Sequence, residues 1–126
     1  MKMLFLASAG GAIGAGARHL VNVGMGRLLG TSFPWGTLTV NIVGSFLMGL
    51  VIEYIMLRAA GSAEMRAFLA TGILGGFTTF SAFSLDISLL IGRKEQGLAV
   101  LYVAGSVGVS ILMLYVGFAL ARSVFA

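Results

Sequence analysis

Apolar positions fall into four long stretches that carry no charge: Met3 to Ala17, Leu28 to Ile52, Ala67 to Leu85 and Gln96 to Ala121. A hydrocarbon layer of about 30 Å takes about 20 apolar helical residues to cross, so each stretch predicts one membrane-spanning helix. The first extends past Arg18 to about Gly26, because a helix ending at Arg18 is short for a bilayer and nothing breaks the pattern there. The predicted helices are 3–26, 35–57, 65–91 and 98–122, in a single transmembrane domain, 1–126, with no cleaved leader. Gly30 to Gly36 has the Gly and Pro punctuation of a turn, with Pro34 as first helical residue and Trp35 as an interface anchor. The second turn, Arg58 to Arg66, contains Gly61-Ser62-Ala63-Glu64, a Ser N-cap followed by an early acid. The third, Gly92 to Gly97, is polar and bracketed by glycines.

Composition says what surrounds these helices. With 59% hydrophobic and 10% charged residues and a mean hydropathy of +1.06, the apolar side chains are too many for one small core. Their solvent is lipid, and the expected location is the inner cell membrane, crossed several times. The absence of cysteine excludes disulfides, thiolate metal sites and thiol nucleophiles. The net charge of +4 comes from basic residues scattered along the chain, Arg93-Lys94 being the one adjacent pair, not from the clustered stripe that nucleic acid requires. No nucleophile, base and orienting group share a face, so an enzyme is not expected.

Charge placement bears on orientation. Lys2, Arg58, Arg66 and Arg122 fall on one side of the membrane, Arg18, Arg27, Arg93 and Lys94 on the other, so the tally is four against four. Lys and Arg bias normally fixes insertion; a chain without it can insert both ways, which predicts an antiparallel homodimer, the alternative being one fixed topology set by helix hydrophobicity or by Arg18 and Arg27 lying inside the membrane. Spaced small residues, Gly10/Gly14, Ala12/Gly16, Ser45/Gly49, Ala104/Gly108 and Ser106/Ser110, predict closely packed helices.

Polar groups in lipid are costly, and here they align. Thr37, Asn41 and Ser45 stand four apart on the second span; Tyr102, Ser106 and Ser110 do so on the fourth. Ser45 and Ser106 also suit interhelical hydrogen bonding, worth about 1 kcal/mol each. Asn41 is the stronger functional candidate, since a mid-span amide is harder to bury than a hydroxyl that bonds back to its own helix. The third span carries Gly75-Gly76-Phe77-Thr78-Thr79-Phe80-Ser81-Ala82-Phe83-Ser84. Its paired glycines and threonines weaken helical continuity at mid-membrane. Two outcomes fit: carbonyls freed to enclose a sodium-sized cation between two copies, or a mild kink served by the Thr78 and Thr79 hydroxyls. Phe77, Phe80 and Phe83 place at least two rings on one face beside Ser81 and Ser84, as packing or as positive ring edges that coordinate a desolvated anion. Asp86 reads as a capped or snorkelling group closing the span.

The run GGFTTFSAFS at Gly75 to Ser84, GTLTVN at Gly36 to Asn41 and the four short spans resemble the small fluoride channel family, Fluc or CrcB, over essentially the whole chain. The resemblance implies an all-helical membrane protein of four transmembrane helices per subunit with a break in helix 3, assembled as a dual-topology antiparallel homodimer. It implies two fluoride pores and a structural sodium ion. Carried over by position, it assigns Phe80 and Phe83 to an aromatic box along the fluoride path, with Ser81 beside them and Asn41 as hydrogen-bond donor. Tyr102, Ser106 and Ser110 form the polar track, Arg18 lies near a pore vestibule, and Thr37 joins the expected path from its place on the stripe with Asn41. Backbone carbonyls of Gly75 and Thr78 from both subunits hold the sodium. This chain departs from the family pattern at Ala82, where a threonine is common, and at Asp86, where a glutamate is.

The expected function is therefore passive, fluoride-selective export that lowers cytoplasmic fluoride. The alternative is a proton-coupled small multidrug exporter of similar size. That chemistry needs a titratable carboxylate in the first span, which here holds only Arg18 and His19.

Overall fold

Four helical spans, Lys2–Leu29, Trp35–Arg58, Ala63–Gly92 and Gln96–Phe125, are long and apolar enough to cross a membrane. The computed structural model describes residues 1–58 and 62–126; Gly61 of the second predicted turn lies outside the described residues. We label the elements α1 (Lys2–Leu29) and α2 (Trp35–Arg58), then α3 (Ala63–Met65), a wider π-helical stretch (Arg66–Leu74), α4 (Gly75–Phe77), α5 (Ser81–Gly92) and α6 (Gln96–Phe125).

Local chemistry explains the ends. α1 continues beyond the expected position 26 because the residue able to leave the helix is Gly30, at φ 84, a conformation that costs glycine little. Its N–H still bonds to the Gly26 carbonyl at 3.0 Å. Pro34 does not open α2 as its first helical residue; it flanks the helix, and its carbonyl accepts from Leu38 N–H at 3.2 Å. Ser62 caps α3 as its sequence position predicts, its Oγ accepting from Met65 N–H at 3.3 Å with Glu64 in the first turn.

Small residues set the packing. α1 lies against the π-helical stretch, so that a Cβ on Gly10 would come 2.5 Å from the Phe68 carbonyl oxygen. One on Gly14 would strike the Ile73 carbonyl. α2 crosses α6 at Gly49 and Gly117, whose missing side chains admit the backbone of the other helix. The same end carries ion pairs, Arg122 Nε to Glu53 Oε1 at 2.7 Å and Lys2 Nζ to Glu64 Oε1 at 3.1 Å. Gly16 and Gly108, by contrast, have nothing within 4 Å of a built Cβ, so those small-residue pairs face away from the packed interior.

Phe83, Leu90, Ala99 and Tyr102 form a buried cluster joined by Phe33, Leu38 and Ile87. Leu4, Phe5, Leu20, Leu101 and Leu112 point outward, as lipid-facing side chains do. The third span is bent. Regular winding stops at Phe77, Thr78 is extended at φ −86 and ψ 160, and α5 resumes at Ser81.

Candidate functional site

The bend is held from α2. Asn41 Oδ1 accepts from Thr79 N–H at 2.8 Å, while its Nδ2 donates to the Thr79 carbonyl at 3.0 Å. One carboxamide thus satisfies both backbone groups of a residue outside regular structure, as unpaired backbone in lipid requires. The hydroxyls also contribute. Thr78 Oγ1 donates to the Leu74 carbonyl at 2.9 Å, and Thr79 Oγ1 accepts from Ala82 N–H at 3.2 Å, supporting the first turn of α5. Gly44 makes room for this arrangement, because a Cβ there would run into Thr78 Cγ2. The second Nδ2 proton of Asn41 has no partner among the described residues.

Beside the bend opens a groove of about 540 Å³ between α2, the third span and α6. Asn41, Ser45, Gly75, Thr78, Thr79, Phe80, Phe83, Ser106 and Ser110 contribute to its lining. Phe80 is 76% exposed and meets the buried Phe83 with ring centroids 5.5 Å apart, tilted by 51°. The Ser106 and Ser110 hydroxyls are buried, and neither has a hydrogen-bond partner among the described residues. Such a group costs free energy unless something outside the chain supplies the bond.

A second cavity, about 420 Å³, lies toward the α1–α2 connection and is lined in part by Asn22, Thr37, Ala82, Asp86 and Arg93. Tyr102, 1% exposed, stands between the two cavities: its ring is 5.1 Å from that of Phe83, and its hydroxyl donates to Asp86 Oδ2 at 2.9 Å. Rings therefore continue from Phe80 through Phe83 and Tyr102 to Phe33, the last two centroids 5.5 Å apart.

Of the residues singled out from sequence, Asn41, Gly75, Thr78, Phe80, Phe83, Ser106 and Ser110 all line the groove. Thr37 faces the second cavity, and Tyr102 is in the wall between. Ser81 lines neither; its Oγ lies 3.2 Å from Thr79 Oγ1. Arg18 is half-buried on α1 and lines neither cavity. Asp86 does not close its span as a capped or snorkelling end group, since α5 runs on to Gly92 and the carboxylate receives the Tyr102 hydroxyl. The Thr78 and Thr79 hydroxyls serve the bend as one of the two sequence readings expected, whereas the pairing of the Thr79 backbone with Asn41 and the role of Asp86 were missed; Asp86 carried the signal of an acid inside an apolar span.

The bend also bears on cation binding. In a continuous helix the N–H groups of Thr79 and Ala82 would cover the carbonyls of Gly75 and Thr78. Here they donate instead to Asn41 Oδ1 and Thr79 Oγ1. Two oxygens without those partners are the ligand type that a hard cation such as sodium takes, so the residues present fit such an ion.

A small helical membrane protein, with a polar and aromatic groove beside a bent span, is the class that these features define. The family model for CrcB-like protein, Camphor Resistance (CrcB), matches residues 5–118, and the chain belongs to that family. Among curated relatives, the fluoride-specific ion channel FluC of Chelativorans sp. (strain BNC1) is 56% identical over 124 residues, covering 98% of this chain and 99% of its own length. That of Agrobacterium fabrum (strain C58 / ATCC 33970) is 54% identical over 125 residues, covering 99% and 100%. That of Rhodospirillum centenum (strain ATCC 51521 / SW) is 49% identical over 126 residues, covering all of both. These relatives are ion channels, not enzymes.

Proposed function

We propose that this protein is a passive, fluoride-selective channel of the inner cell membrane, acting as an antiparallel homodimer that lowers cytoplasmic fluoride. The observation that carries the reading is the pair of buried Ser106 and Ser110 hydroxyls, without partners among the described residues, facing a groove that also presents Phe80 and the amide of Asn41. Fluoride is small and holds its water strongly, so a path for it must replace that water with hydrogen bonds. Neutral hydroxyl and amide donors do so without trapping the ion, and the positive edges of Phe80 and Phe83 add weak, reversible attraction. From the groove the route leads past Tyr102 to Thr37 and the second cavity, and Arg18 sets a positive field that favours anions. The curated relatives' names support the same ion.

The dimer rests on the balanced loop charges and on the outward-facing small residues Gly16 and Gly108. Two copies placed head to tail would bring their bends together, and the Gly75 and Thr78 carbonyls of both would hold a structural sodium ion. The ion would lock the bends in place and add fixed positive charge near the paths.

Purified protein reconstituted into liposomes loaded with fluoride or chloride tests this, with efflux followed by an ion-specific electrode. Fluoride efflux without chloride efflux is expected; equal efflux of both removes selectivity, and tight vesicles remove the channel.

A further inference from the structure

We infer that Thr79 is a positioning residue: clamped by Asn41 through its backbone and supporting α5 through its hydroxyl, it keeps N–H groups off the Gly75 and Thr78 carbonyls so that these can bind a small hard cation. The inference rests on the sodium part of the reading above and names what prepares the site for the ion.

The bond exchange can be followed atom by atom. A helix bonds each N–H to the carbonyl four residues earlier, which would pair Thr79 with Gly75, Ala82 with Thr78 and Phe83 with Thr79. All three pairings are displaced. Thr79 N–H goes to Asn41 Oδ1 at 2.8 Å, Ala82 N–H goes to Thr79 Oγ1 at 3.2 Å, and the Thr79 carbonyl receives Asn41 Nδ2 at 3.0 Å. The Thr78 hydroxyl is turned away toward Leu74, so it does not compete for the freed oxygens. Asn41 lies on α2 and Thr79 at the bend, so packing of α2 against the third span is what opens both carbonyls. Thr79 bears the methyl that a valine would keep and the hydroxyl that it would lose. Without the hydroxyl, the Ala82 N–H is left to return to the Thr78 carbonyl.

The test uses the full chain in detergent, with sodium chloride titrated against choline chloride at constant ionic strength. The readouts are the thermal midpoint and hydrogen exchange in a peptide covering residues 78–84. The wild type is expected to gain stability with sodium. Thr79→Val is expected to need at least about fivefold more sodium for half of that gain, the factor typical of losing a hydroxyl cap. Its exchange pattern at Ala82 should change even without sodium, and Thr79→Ser should restore both readouts. Thr79→Ala carries the same expectation if the valine variant does not fold. A sodium-responsive wild type with an unchanged half-saturating sodium concentration in Thr79→Val or Thr79→Ala overturns the positioning role alone. A wild type indifferent to sodium overturns the cation reading and the inference with it, while leaving fluoride efflux to be judged separately.

Discussion

The Tyr102 hydroxyl on α6 donates to Asp86 Oδ2 on α5 across 2.9 Å, tying the wall between the two cavities to a carboxylate inside a membrane span. With Tyr102 only 1% exposed, this bond gives a buried phenol the partner that burial demands. Tyr102→Phe keeps the ring contacts to Phe83 and Phe33 but strips Asp86 of its donor. The expected cost is about 1–3 kcal/mol of stability, measured by unfolding in detergent. Asp86→Asn retains an oxygen that can accept the phenol proton and should cost less.

Gly49 and Gly117 fix how near α2 and α6 approach, and with it the width of the groove. A Cβ on Gly117 would strike the Phe46 carbonyl, and one on Gly49 the Leu114 carbonyl. Both obstacles are backbone, so the helices must separate. Gly49→Ala or Gly117→Ala is expected to cost about 1–3 kcal/mol, the range for overpacked sites. Lower unfolding midpoints in detergent and a smaller monodisperse fraction after extraction check this.

Gly44 meets a different neighbour, the γ-methyl of Thr78. Threonine is β-branched and stiff at χ1, so that methyl cannot simply rotate away. Gly44→Ala should therefore displace the bend, and fluoride efflux should fall more than about tenfold, the loss expected when a positioned group moves by an ångström. An efflux equal to wild type would show that the bend accommodates the extra methyl.

The spans were legible because partition into lipid is a property of each segment alone, and the glycine pair with two threonines marked the bend for the same reason. The Asn41 side chain stood out through its cost at mid-span. Its pairing with the Thr79 backbone did not, because the two are 38 residues apart and come together through the packing of α2 against the bend, with Thr78 seated at Gly44. Ser81 is adjacent to Phe80 in sequence, yet helical geometry at the start of α5 turns its hydroxyl to Thr79. Periodicity could place Asp86 in an apolar span but not say which phenol would reach it.

Phe80 and Phe83 are alike in sequence and opposite in environment. Phe80 is 76% exposed beside the groove, whereas Phe83 is 6% exposed in the cluster with Tyr102. Phe80→Ile should change folding stability by under about 0.5 kcal/mol, as surface substitutions do, while fluoride efflux is suppressed. Phe83→Ala should cost about 3–5 kcal/mol through the cavity it leaves. Unchanged efflux in Phe80→Ile returns that ring to a packing role.

Ser106 and Ser110 give the sharpest separation of stability from transport. A buried hydroxyl without a partner is a net cost to the fold, so removing it is neutral or stabilising in a chain that carries no ion there. If the same hydroxyls replace water around fluoride, their removal must slow the ion. Ser106→Ala and Ser110→Ala are thus expected to raise or preserve the unfolding midpoint while lowering fluoride efflux, and the double variant should lower it further. A serine that merely held helices together would behave in the opposite way, losing stability first and transport only with it. Midpoint and efflux measured on one preparation distinguish the two, since interhelical bonding moves them in the same direction and ion coordination moves them apart.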